Sequence, residues 1–216
     1  MNRITLFLAS FLLVQLSMAQ SDMIANVDYN QAVEFHNTAK MQYENDDFNS
    51  AISSFSNAIR LNPNSSDYPF GLASSYYEIQ QYDSAKKYIE LAISLEPNQP
   101  DYHYRAGNIY FHTKEYEKAF ENYTISLANL SDDYPIDLGN CYYNKAVSAY
   151  YLERYNRAIY DVTQLLKEKP DDLNALHLRG VSQLKIESNS QACRDLKRAN
   201  DMGNPNSLRY IKKYCE

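Results

Sequence analysis

Ala51, Ala85 and Ala119 stand 34 residues apart, and the residues around them recur at the same interval. Seven positions on, Ala58, Ala92 and Ser126 keep the spacing; three positions before each alanine is an aromatic (Phe48, Tyr82, Tyr116), and four after it a large residue (Phe55, Ile89, Tyr123). Pro63 and Pro97 follow the first two alanines by twelve. A fourth copy centres on Ala158, with Tyr155, Val162 and Pro170, and lies 39 residues from Ala119, which places a five-residue insertion in Ser131 to Leu138. A fifth centres on Ala192, again 34 on, with Leu196 and Ala199. A period of this length makes each copy one supersecondary unit that cannot bury its apolar face alone and depends on stacked neighbours for a core.

The stretch from Tyr102 to Leu127 shows what one copy contains. It reads as helix, turn, helix. Small residues stand where the two helices must touch: Ala106 and Gly107 on the first, Ala119 on the second. Tyr110, Tyr116 and Tyr123 fill the space between, so they are expected in the packing, whereas Tyr104, Arg105, Asn108 and Phe111 are expected on the functional face. Overpacking at Ala119 with leucine is expected to cost roughly 1–3 kcal/mol.

This pattern resembles the tetratricopeptide repeat family, whose 34-residue unit runs large residue, Leu-Gly, Tyr, Ala, aromatic, Ala, Pro. The resemblance covers about Ala32 to Asn204. Pro69 and His103 stand where the first large residue belongs, glycine is kept only at Gly107 and Gly180, and the third copy lacks its closing proline. The resemblance implies an all-α, right-handed helical-hairpin solenoid. The expected organisation is a leader over 1–19, a flexible lead-in over 20–30, five repeats over 32–65, 66–99, 100–133, 139–172 and 173–204, and a polar-faced capping helix over 205–216 that begins after Gly203-Asn204-Pro205-Asn206.

In this family the first helices line a concave groove that takes extended peptides or partner helices. Two rows of this chain match it. Eight residues before each alanine stand Tyr43, Tyr77, Phe111, Tyr150 and Leu184, and fifteen before stand His36, Phe70, Tyr104, Tyr143 and His177. Rows seven apart share a helical face. Between them lie Lys40, Ser74, Asn108 and Val147, with Arg105 and Asn144 alongside. These aromatics also suit plain packing between repeats. A carboxylate clamp of the kind some members carry is not supported: Asn108 and Asn144 match its amides, but Tyr104, Asn174 and Leu178 fill its basic places.

Nothing points to catalysis or a cofactor. His36, His103, His112 and His177 fall in no metal-ligand spacing, and no Gly-rich phosphate loop or nucleophile elbow is present. The pairs Asp46-Asp47, Asp132-Asp133 and Asp171-Asp172 fall at turns, where carboxylates cap helices. With 21 Lys and Arg against 27 Asp and Glu, the chain lacks the basic balance that nucleic-acid binding needs. The expected partner is a protein or peptide. Two other readings are a glycan stacked on the Tyr and Phe rows, and an accessory role in an envelope complex bound through the convex face.

Residues 1–19 read as a Sec-type signal peptide: Arg3, an apolar run from Ile4 to Leu16, then Ser17-Met18-Ala19 before a cut. The alternative is a membrane anchor, for which the run is short. No later run reaches spanning length. The expected location is periplasmic or extracellular. Of three cysteines, Cys193 near the start of one helix and Cys215 at the end of the next are expected to meet, because consecutive helices run antiparallel, and a disulfide there suits an oxidising compartment. The alternative is two unpaired thiols. Cys141 is left over.

Overall fold

A computed structural model describes residues 26–130, 137–186 and 189–216, so the proposed leader and residues 131–136 of the inserted loop lie outside the described residues. All regular structure among the described residues is helical. The helices are α1 (26–44), α2 (Phe48–Leu61), α3 (Asp67–Glu78), α4 (Tyr82–Leu95), α5 (Pro100–His112), α6 (Tyr116–Ala128), α7 (Leu138–Tyr151), α8 (Tyr155–Glu168), α9 (Leu173–Ile186), α10 (Asn189–Asp201) and α11 (Leu208–Tyr214). Residues 26–30, expected in a flexible lead-in, are already helical; α1 runs back past Gln31 with no Pro or Gly to stop it. The chain divides into two compact units, one ending at Leu95 and one beginning at Glu96.

In the first unit, Ala39, Ala51, Phe55 and Leu72 form one buried cluster and Ala32, Ala58 and Tyr68 another. The periodic alanines have no exposed surface, as close helix approach requires. In the second unit each helix from α5 packs on the next, and first helices also touch one another, α5 on α7 and α7 on α9. Ala146, Val162, Leu165, Leu176, Val181 and Leu196 belong to its continuous core, which Ile211 of α11 completes.

Four hairpin turns are built alike. Asp46, Gln80, Lys114 and Glu153 each take a positive φ near 60°. The next residue donates its N–H back across the helix end, as Glu115 does to the Tyr110 carbonyl at 2.9 Å, while Lys114 donates to Phe111 at 3.0 Å. These two bonds satisfy the last carbonyls of the first helix in a Schellman motif. None of the four residues is glycine, so each turn carries the steric cost of a side chain in the left-handed region.

Carboxylates cap the helices that follow. Asp47 accepts from the N–H of Ser50 at 3.2 Å, and Asp172 from that of Ala175 at 2.9 Å. Asp171 instead pairs with Arg198, and Asp132-Asp133 lie outside the described residues. The chain enters α11 through a 3₁₀ turn, Pro205–Ser207, with Asn204 accepting from the Asn206 N–H at 3.0 Å. The last α-helix therefore starts one residue later than Ser207. Cys193 and Cys215 are joined in a disulfide, with Cα atoms 5.6 Å apart, and Cys141 is free and buried.

Candidate functional site

The proposed groove residues lie on the first helices of both units. In the first unit, α1 carries His36, Lys40 and Tyr43, and α3 carries Phe70, Ser74 and Tyr77. In the second, α5 carries Tyr104, Arg105, Asn108 and Phe111, α7 carries Tyr143, Asn144 and Tyr150, and α9 carries His177. Lys40 is exposed, Ser74 is buried, and the others are half-buried.

The row eight residues before the alanines folds back on its own hairpin. Tyr43 meets Phe48 edge-on at 5.3 Å between ring centroids, Tyr77 meets Tyr82 at 5.9 Å, Phe111 meets Tyr116 at 6.0 Å and Tyr150 meets Tyr155 at 5.5 Å. The left-handed turn residue brings the two rings together each time. Phe111 therefore shares in the packing assigned to Tyr116, and the sequence-based division of these rings between packing and function does not hold at that position. The Tyr43 hydroxyl also donates to Glu78 Oε1 at 3.0 Å, tying α1 to α3.

In the row fifteen residues before the alanines, the two histidines pack forward onto the next first helix, whereas Tyr104 packs on the second helix of its own hairpin. His36 lies 5.0 Å from Tyr68, and His177 lies edge-on to Tyr210 at 5.7 Å with Nδ1 2.8 Å from Ser207 Oγ. Burial lowers the pKa of both histidines; Lys40 adds to this at His36 while Asp67 opposes it, and Arg209 adds to it at His177. Tyr104 lies 6.2 Å from Tyr123, and burial raises its pKa and that of Tyr143.

Between the rows the two units differ. Asn108 Oδ1 accepts from the Tyr123 hydroxyl at 2.7 Å and from Asn144 Nδ2 at 3.4 Å, so the amides expected to face a ligand bond inside the fold. Ser74 holds the equivalent place on α3. It is 5% exposed, and its Oγ has no hydrogen-bond partner; His36 Nδ1 is also buried without one.

The sequence reading missed a set of polar contacts across the hairpins. Lys145 pairs with Asp161 at 3.2 Å, and Arg179 grips Asp195 through two bonds of 2.6 and 2.9 Å. His103 and Asn122 meet across α5 and α6 at 2.9 Å. The legible signal was a basic residue thirteen before Ala158 and Ala192, matched by an aspartate three after each. Burial raises the Asp161 carboxyl against the opposing pull of Lys145, and its Oδ2 has no partner. Among the described residues no group of His, Cys, Asp and Glu is placed to hold a metal ion, and no helix is long and apolar enough to cross a membrane.

Two tetratricopeptide repeat models match this sequence, one over residues 42–104 and one over residues 100–124. Residues 42–124 therefore carry tetratricopeptide repeats. The structure of YrrB, described as a TPR protein with an unusual peptide-binding site, shares the fold of these repeats: TM-score 0.75 and 16% identity, over 84% of this chain and 92% of that one. A MamA structure gives 0.70 and 16%, over 85% and 95%. MamA from Desulfovibrio magneticus RS-1 gives 0.70 and 14%, over 80% and 94%. No curated protein sequence matches significantly.

Proposed function

We propose that the repeats form a non-catalytic scaffold that binds an extended peptide or protein segment along its first helices. The observation that carries this is Ser74. Its hydroxyl is buried and unpartnered between Phe70 and Tyr77, in the row where the family's groove contacts fall. Such a group costs about 1–3 kcal/mol unless something pairs with it, and a peptide amide or carbonyl is the matching chemistry. The test is a peptide array probed with the purified chain, followed by titration of Ser74→Val. Binding at least about tenfold weaker, equal to 1.4 kcal/mol, with a melting temperature no lower than the parent's, is expected. Equal binding by the variant overturns the assignment.

Glycan capture is the second reading. Tyr116 and Tyr151 stack at 4.5 Å with planes 10° apart, and Tyr151 is 58% exposed, which offers an open ring surface to a sugar. Tyr151→Ala would abolish glycan binding and leave peptide binding alone. Export to the periplasm or the medium is also our proposal, supported by the leader-like composition of residues 1–19 and the Cys193–Cys215 disulfide. So is membership of an envelope complex through the second helices.

A further inference from the structure

Charge is segregated along this chain, and both ends of the segregation sit beside exposed apolar side chains. On α1, Val27, Glu34 and Met41 recur every seven residues and so share one face. Val27 is 59% and Met41 64% exposed. Glu34 and Glu44 are exposed on or beside this face, with exposed Asp46 and Asp47 in the following turn, against the one exposed cation of α1, Lys40. In the second unit, α10 and α11 present the opposite sign. Arg194, Lys197, Arg209, Lys212 and Lys213 are all exposed, next to Leu208 and Tyr214. The acid in the middle of α10, Asp195, is turned inward and held by Arg179, so it does not neutralise that surface; Asp201 and Glu216 do so only in part. The disulfide and the burial of Ile211 among the core side chains fix α11 to α10, which makes the basic face one rigid patch.

We propose that the acidic, apolar-dotted face of α1 docks on the α10–α11 face of a second copy of this chain. The two faces are different surfaces, so the contact is heterologous; unless its rotation closes a ring, it builds open chains. Its occupant is argued from complementarity: each face carries an excess of one sign of charge around exposed aliphatic or aromatic groups, and the two excesses are opposite. Ion pairs at such an exposed contact are weak and screened, so the association depends on concentration and salt. This contact lies apart from the peptide site at Ser74 and does not depend on it.

Sedimentation velocity of the purified chain tests the idea. Species larger than monomer are expected at about 50 mM salt and a shift to monomer at about 500 mM, because the Debye length shrinks severalfold between them. Lys212→Glu with Lys213→Glu should weaken association about tenfold or more, as should Glu34→Lys with Glu44→Lys. Mixing the two charge-reversed chains should restore association that neither shows alone, because the unaltered acidic face of one meets the unaltered basic face of the other. All four side chains are exposed, so far-UV helicity should be unchanged. A monodisperse monomer at low salt overturns the proposal, and so does association that survives both reversals.

Discussion

A Cβ added to Gly107 would stand 2.6 Å from Cε1 of Tyr123, inside the distance that real side chains keep. Tyr123 cannot yield easily: its ring has no exposed surface and its hydroxyl is bonded to Asn108. Two effects oppose each other in Gly107→Ala. Helix preference favours alanine by roughly 0.5–1 kcal/mol, while overpacking costs roughly 1–3 kcal/mol. The second should win, and denaturant unfolding should show a lower midpoint with an unchanged slope. Ala119→Leu, on the facing helix, should fall in the same direction.

Lys114→Gly should stabilise the fold. Lys114 is exposed and holds φ at 62°, a conformation costing a side chain roughly 1–2 kcal/mol. Against this, glycine loosens the unfolded chain by roughly 0.4–1 kcal/mol. A net gain of about 0.5–1 kcal/mol in chemical denaturation is expected, and a loss on Lys114→Val, whose β-branch suits that region worse.

Stability should fall on mild acidification. His36 and His177 both have folded-state pKa values below the ordinary one, because burial disfavours the imidazolium. The unfolded chain then takes up protons first. The contribution is present above the unfolded value of about 6.5 and is lost as pH drops through it toward the lower folded values. Melting temperatures measured between about pH 7.5 and 5 should decline, and His177→Asn should flatten the decline. A slope identical to that of the parent chain would remove His177 as a source.

Thiol chemistry should separate the three cysteines. Burial pushes the Cys141 thiol up to about 12, so it should resist alkylation in the native state. Unfolding without reductant should release one reactive thiol, since Cys193 and Cys215 are bonded. Closing a loop of 22 residues by this bond should contribute about 3 kcal/mol in the chain-entropy model, read as the drop in stability on adding a dithiol reductant.

The hairpins were legible because alanines at 51, 85, 119, 158 and 192 must each sit where two helices touch, and a fixed period admits few other folds. Helical phase also placed Tyr43 and His36 on one face. It did not say where their rings point, because that is settled by the turn and by the next helix. Tyr43 is drawn back by the left-handed residue Asp46, and His36 is drawn forward by Tyr68. Nor did the apolar period reveal Lys145–Asp161 or Arg179–Asp195. Polar residues inside a helix pair carry no hydrophobic signal, and their pairing emerges only when the two helices are brought side by side.

The approach to α11 has a further meaning. Asn62-Pro63-Asn64 before α3 and Asn204-Pro205-Asn206 before α11 make the same local bond, the asparagine side chain accepting from the backbone two residues on, at 3.3 and 3.0 Å. His36 then meets Tyr68 of α3 as His177 meets Tyr210 of α11. In architectural terms α11 is the opening of another hairpin. The chain is thus a modular template: a partner helix designed against α11, followed by further copies, would lengthen the array by reusing contacts it already makes.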